Sequence, residues 1–573
     1  MTTWQGTVRM TVAALAALLL GACSVSTTVS VSSSAPAQVQ HLYITVTGVW
    51  LNTSATAATT ATGWVGQELN TPMSVDLASL DAGTVTDLVS GIKTPPGTYR
   101  QLRLALADAA DPLSSAAEGA ALTWNAQVQY LNSAGTSVTL PLELPSRSSD
   151  LVVPATIALS GSGVGPFIGA SSGRNSTQSA ATVSSTPTNS STTSTGTSTT
   201  VVADVAVNVE AVRHLLLFVY GNTTAALLDP RLSAVNAAKA GAISGTLDVS
   251  AVAAGVLTGT QGVVVTAERL SDDGTRYEAV KSVPVSTGGA FTLYPLPVAD
   301  TGPTTYELVI HGPGIRTQII SAVPVSAGAA ADATVIQSSS LPLVSAKSFT
   351  VNTAANSAPL PGGSTVGFYQ TIPGFSASHL VEYETPDPFN GGFFANVTLS
   401  ADAIDYGIYA SGSPVSFSTA TPVEGIGTYR IGAFAPLRAD SSLSNTVSAP
   451  TVSTSAAQPV FLPAPGASIR GGTLGVNGTI NLGGAGRFDR GFVLISSGGE
   501  LIDAVNLQTS LSGASASANF TLSGLPGGSG APYEVTTRLW NSKDPAGTLV
   551  RTSAASTLNP AIGGTQSVSV TVP

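Results

Sequence analysis

Cysteine is almost missing from this 573-residue chain: Cys23 is the only one. No intrachain disulfide can form, so each domain must hold together by apolar burial, without the covalent staple common in small secreted domains. Charge is scarce as well. Asp, Glu, Lys and Arg make up 9% of the residues, with a net charge of −10. So little charge excludes disorder driven by self-repulsion, and the shortage of Glu and Lys removes the wet face that amphipathic helices need. The negative balance, with no Lys/Arg cluster to override it, argues against nucleic acid and against attraction to anionic headgroups. Beyond residue 20 no apolar stretch reaches bilayer-spanning length. Histidine is represented by His41, His214, His311 and His379 alone; no pair has zinc-site spacing and cysteine ligands are lacking, so the reading is no metal.

What is abundant is Gly, Ala, Ser, Thr and Val. A hydrophobic share of 43% suffices for packed cores, and 35 prolines and 59 glycines supply turns between many short strands. Thr and Ser can cover an uncharged β surface. The expected fold is all-β, as tandem β-sandwich domains of transthyretin or immunoglobulin type. The length implies three to five of them.

The amino terminus has its own pattern. Arg9 precedes the apolar run Met10 to Leu20, and Leu20-Gly21-Ala22-Cys23 follows. This is the layout of a secretory signal peptide whose apolar core is too short for a permanent span. It resembles the lipobox of bacterial lipoproteins, which implies diacylglycerol on the Cys23 thiol and cleavage just before it. Several acyl chains make a stable anchor where one does not. The plainer alternative is an ordinary signal peptide cut elsewhere. Ser24 stands where an Asp would suggest inner-membrane retention, so the resemblance implies the outer membrane of a Gram-negative bacterium, facing periplasm or surface.

Residues 23–38 read as a flexible tether after a signal peptide over 1–22, because they are Ser/Thr/Val/Ala-rich without a durable pattern. Strand patterning begins at His41, with Leu42, Ile44 and Val46 on one face. It returns after the Pro95-Pro96-Gly97 turn with Leu102, Leu104 and Leu106 inward and Gln101 and Arg103 outward, and again at Val205, Val207 and Val209. His41-Leu42-Tyr43-Ile44-Thr45-Val46-Thr47-Gly48-Val49-Trp50, Gly63-Trp64-Val65, Asp76-Leu77, Pro96-Gly97-Thr98-Tyr99-Arg100-Gln101-Leu102-Arg103-Leu104 and Leu227-Leu228-Asp229-Pro230 together resemble the domain-of-unknown-function 4382 family. That family is found near the amino terminus of bacterial lipoproteins and implies no activity. The domain is expected over 39–240. Its Ser/Thr-rich run Ala170 to Thr200 has no large apolar residue and reads as a disordered, dispensable insertion.

The rest contains a repeat. Gly262-Val263-Val264-Val265, Phe291-Thr292-Leu293, Leu296-Pro297 and Tyr306-Glu307-Leu308 are echoed by Gly491-Phe492-Val493-Leu494, Phe520-Thr521-Leu522, Leu525-Pro526 and Tyr533-Glu534-Val535. From 262 to 291 and from 491 to 520 the spacing is 29 residues. One sandwich topology is expected for both, with Phe291 and Phe520 at equivalent core positions. The first copy resembles carboxypeptidase-regulatory-like sandwiches, which usually serve as spacers or binding platforms. The expected modules are 241–337, a divergent 338–460, and 461–573.

No catalytic constellation emerges. Gly169-Ala170-Ser171-Ser172-Gly173 matches a nucleophile elbow but lacks the helix that must follow. Asp272-Asp273-Gly274 reads as a hairpin turn rather than a calcium loop. Glu382, Glu384 and Asp387 read as an exposed Pro- and Asp-rich loop. Trp50, Trp64 and Trp124 could stack on sugars, though at least two are expected in the core. The expectation is a non-enzymatic lipid-anchored envelope or cell-surface protein, a row of sandwiches for display, adhesion or scaffolding, with an unknown envelope protein or glycan as partner and no cofactor. The alternative is a ligand-binding, carbohydrate-directed lipoprotein with its first domain as the module.

Overall fold

The computed structural model describes residues 25–571 apart from 60, 81–82, 108–121, 133, 146–149, 160–200, 221–222, 258–261, 329–331, 338–342, 355–356, 358, 391–393, 395, 452–455, 485–486, 513–515, 542–549 and 552–556. Cys23, the signal segment, the Ala170–Thr200 run and Gly169–Gly173 lie outside the described residues.

Strands dominate, arranged as four domains around separate cores. The predicted inward faces are inward: Leu42, Ile44, Val46, Leu102, Leu104, Leu106, Val205, Val207 and Val209 are all buried in the first core. Gln101 departs from the alternation. It is buried because its Oε1 accepts the Ala57 N–H at 2.9 Å, drawing the preceding loop over it.

The tether expected over 23–38 is instead a strand. Val25–Ser34 pairs in parallel with Val201–Glu210 on one side and antiparallel with Thr86–Thr94 on the other. Val25, Val29 and Val31 point into the first core, and Thr27, Ser32 and Ser33 are buried as well. Its alternation of Val with Ser and Thr looks like linker composition, yet with strands on both sides several of the buried hydroxyls find partners on those neighbours. Thr27 Oγ1 meets Thr94 Oγ1 at 2.7 Å, and Ser33 Oγ donates to Val209 O at 2.7 Å.

The three following domains share one topology. In each, the first strand (Ala240–Thr246, Ser348–Thr353, Gly472–Asn481) pairs antiparallel with the fourth (Ala290–Pro297, Val397–Ser400, Ser517–Gly527) and in parallel with the last (Thr334–Ile336, Gln458–Val460, Gly564–Thr571). The second sheet packs against that triplet around its own core. The repeat seen twice in the sequence is therefore present three times. Its chemistry explains the motif. Phe291 and Phe520 lie over Gly245 and Gly478 of the paired strand, where an added Cβ would stand 2.7 and 2.0 Å from the ring. The tyrosine that follows closes the end of the fourth strand: Tyr306 donates to Pro297 O and Tyr533 to Pro526 O, both at 2.5 Å. Tyr429 donates to Ser400 O at 2.8 Å in the middle domain, which keeps this lock but not the Gly–Phe pair.

The domains do not form the expected row. The middle domain inserts the hairpin Ile404–Ile408 and Phe417–Ala420, whose first strand extends the second domain's sheet by pairing in parallel with Gln318–Val325. The fourth domain returns to the first: Val152 N–H donates to Gly498 O at 2.9 Å. Phe218 and Leu227 of the first domain, Phe389 of the third, and Phe492, Leu494 and Trp540 of the fourth make one apolar cluster. Burial of that shared face folds the chain back on itself instead of extending it.

Candidate functional site

Where the four domains converge, several buried charges meet partners from another domain. Arg213 grips Glu382 in a two-pronged contact, Nε to Oε1 at 3.0 Å and Nη2 to Oε2 at 2.9 Å. Glu382 sits in the buried strand His379–Glu384, contrary to the exposed loop expected for it. Burial alone would raise its pKa, but the Arg213 charge, with His311, outweighs that and holds it below the ordinary value. Tyr383, next in the strand, donates to Glu210 Oε1 of the first domain at 2.5 Å, and Ser282 Oγ of the second lies 3.0 Å from the same hydroxyl, placed to donate to it. Arg538 of the fourth domain donates through Nε to Glu143 of the first at 2.6 Å, both side chains fully buried. Lys281 Nζ reaches Asn208 Oδ1, and burial pushes its pKa down to about 8, with Glu210 opposing.

Beside this network lies a cleft of about 340 Å³ lined from all four domains, among others by His214, Asp229 and Arg231, Arg276, Tyr369 and Phe434, and Glu500. Arg276 is bound by Glu278 and Asp440 and stacks over Phe434 at 5.0 Å. His214 is buried, and burial with Arg231 nearby lowers its pKa to about 3, leaving a neutral ring. Arg231 is exposed at the rim.

Asp229 accepts the Leu501 N–H at 3.1 Å. Burial pushes its pKa up to about 8, with that N–H opposing and Glu500 adding. An acid raised in the folded state holds its proton while the unfolded chain has lost it. Its ionisation cost is absent below about pH 4 and complete above about pH 8, so stability falls with rising pH in between, by up to about 1.4 kcal/mol per pH unit. Asp229→Asn keeps the acceptor oxygen and removes that slope. The variant is expected to gain on wild type as pH rises through this window in urea unfolding; a constant difference would refute the assignment.

The remaining sequence candidates are dispersed. His41 is half-exposed and bonded to Asp76 at 2.8 Å, whereas His311 and His379 are buried in separate surroundings, His379 stacked on Tyr277 at 4.4 Å. No cluster of three or more potential metal ligands occurs among the described residues. Asp272-Asp273-Gly274 is the hairpin turn expected, with Gly274 at φ 70° and Asp273 accepting from Thr275 N–H at 3.0 Å. The three tryptophans of the first domain lie outside its core, against the two or more expected inside it. Trp50, Trp64 and Trp124 are all half-buried, and Arg103 fills the space between Trp50 and Trp64, 4.3 and 5.1 Å from the two rings. These two faces serve an internal cation stack, and Trp124 stands outside it.

The turn of the Pro-Gly-Thr-Tyr motif is locked from within. Tyr99 is buried and its hydroxyl donates to Pro95 O at 2.8 Å, which gives the tyrosine of that signature a structural duty in the first domain. Residues 26–230 match the family Domain of unknown function (DUF4382). The match takes in all but the first residue of the first strand as well as Arg213, Asp229 and Glu143, so the first domain's half of the charged junction falls within the matched residues. No curated protein matches the chain. Among solved structures, the TIE protein of Bacillus anthracis is similar at 10% identity with a TM-score of 0.13, covering 93% of this chain and 68% of that one. The major pilin SpaA of Corynebacterium diphtheriae is similar at 13% identity with a TM-score of 0.12, over 58% of this chain and 99% of the pilin. Escherichia coli alpha-2-macroglobulin is similar at 10% identity with a TM-score of 0.11, over 92% and 42%.

Proposed function

We propose that this is a non-enzymatic, lipid-anchored protein of the bacterial envelope, outer membrane or cell surface, acting as a display, adhesion or scaffolding body. The observation that carries the reading is Leu20-Gly21-Ala22-Cys23 behind a short apolar run, immediately ahead of the first ordered strand. The buried pairs between domains support a rigid body rather than a hinged one, since separating them would strand charges in apolar surroundings. Cys23→Ser is expected to release the protein from the membrane fraction or leave it unprocessed. Intact mass tests this directly, and a mature wild-type chain without acyl mass would overturn it.

A second reading, binding of a glycan or other small ligand, is favoured by the four-domain cleft with its aromatic Tyr369 and Phe434 beside polar Asp229 and Arg231. The occupied faces of Trp50 and Trp64 make those rings a poorer platform than the sequence suggested. A glycan panel screened by thermal shift distinguishes the readings: a saturable shift abolished by Tyr369→Ala supports ligand binding, and no shift supports the scaffold.

A further inference from the structure

We infer that the end of the first domain formed by Val25 and the turn from Thr94 to Gly97 is a membrane-docking surface for anionic phospholipid headgroups; this rests on the lipid-anchor reading. Cys23 is separated from Val25 by Ser24 alone, and two residues reach no more than about 7 Å. The strand cannot lengthen that reach by fraying. From its first residue it is flanked on both sides, Val25 by Thr94 and by Val201, with its side chain fully buried. A lipid inserted in the bilayer therefore holds this end of the sheet against the headgroup layer.

The chemistry of that end suits the placement. Pro95 and Pro96 are exposed at its tip, and Lys93 and Arg100 are exposed beside it with no salt bridge among the described residues. The first acids met along the same strands, Asp204 and Asp87, pair with Thr28 and Ser30, farther from the tip than Val25. In a chain of net charge −10, two unpaired cations beside the anchor oppose the general repulsion from a negative leaflet, over the short range that salt permits.

The test uses the full lipidated protein in vesicles of phosphatidylethanolamine and phosphatidylglycerol, with a bimane label on Pro96→Cys or Asp87→Cys. Both positions are exposed, and an acylated Cys23 leaves the new thiol as the only reactive one. Asp87 lies up the strand, about 20–25 Å from the turn. A headgroup nitroxide lipid is expected to quench the Pro96→Cys label severalfold more than the Asp87→Cys label, and Lys93→Glu with Arg100→Glu is expected to shrink that contrast. Equal quenching in protein carrying acyl mass overturns the docked orientation while the anchor reading stands. Protein without acyl mass removes the anchor reading, and this inference with it.

Discussion

Replacing Arg538 with methionine is expected to lower stability by about 3–5 kcal/mol, because it takes from the fully buried Glu143 the guanidinium that faces it. The pair joins the fourth domain to the first across 395 residues of sequence, at an Nε–Oε2 separation of 2.6 Å. Glu143→Leu is expected to cost a similar amount by stranding the guanidinium. The double variant Glu143→Leu/Arg538→Met removes both charges together and should cost well under the sum of the two. Urea unfolding of the four proteins measures the coupling. Strictly additive losses would show that the two groups do not depend on each other and that the apolar cluster around Trp540 holds this junction by itself.

Phe291→Ala and Phe520→Ala are each expected to cost about 3–5 kcal/mol, the range for emptying a large buried aromatic site. Each ring covers a glycine on the paired strand and is almost fully buried. Removing it leaves a hole lined on one side by bare backbone, which no neighbouring side chain can fill from that direction. Calorimetry of the whole protein checks both variants. A loss below about 1 kcal/mol at either position would place that ring outside the core, against the range for cavity formation.

Much of the architecture was legible in the chain. Alternation over His41–Thr47 and Leu102–Leu106 reads directly because a strand with one buried face imposes period two. The Phe, Leu-Pro and Tyr signature of the second and fourth domains reads because ring-over-glycine packing and the tyrosine lock demand fixed residue types at nearly fixed offsets. The third copy was hidden: Tyr429 and Ser400 keep the lock with a non-proline acceptor, and Phe394 stands six residues before that acceptor, as Phe291 and Phe520 stand before Pro297 and Pro526, but without the Leu-Pro that marks the other two. The first strand was misread as a tether because Ser and Thr suit both a linker and a strand buried between two others. Its hydrogen-bonding partners, beginning at Thr86 and Val201, are far away in sequence.

The charged junction left one trace. Glu382 interrupts Leu380-Val381 and Tyr383 in an apolar strand, and a carboxylate in such a place calls for a buried partner. Nothing nearby supplies one; Arg213 is 169 residues earlier. The sequence by itself determined the strand-rich class, the need to do without disulfides and the resemblance of the first domain to DUF4382, because each rests on composition or on contacts within a few residues. Only the tertiary structure decided that the domains close on one another instead of standing in a row. That choice depends on matching a handful of buried charges and one shared apolar face across hundreds of residues, and no local pattern records which partner each will meet.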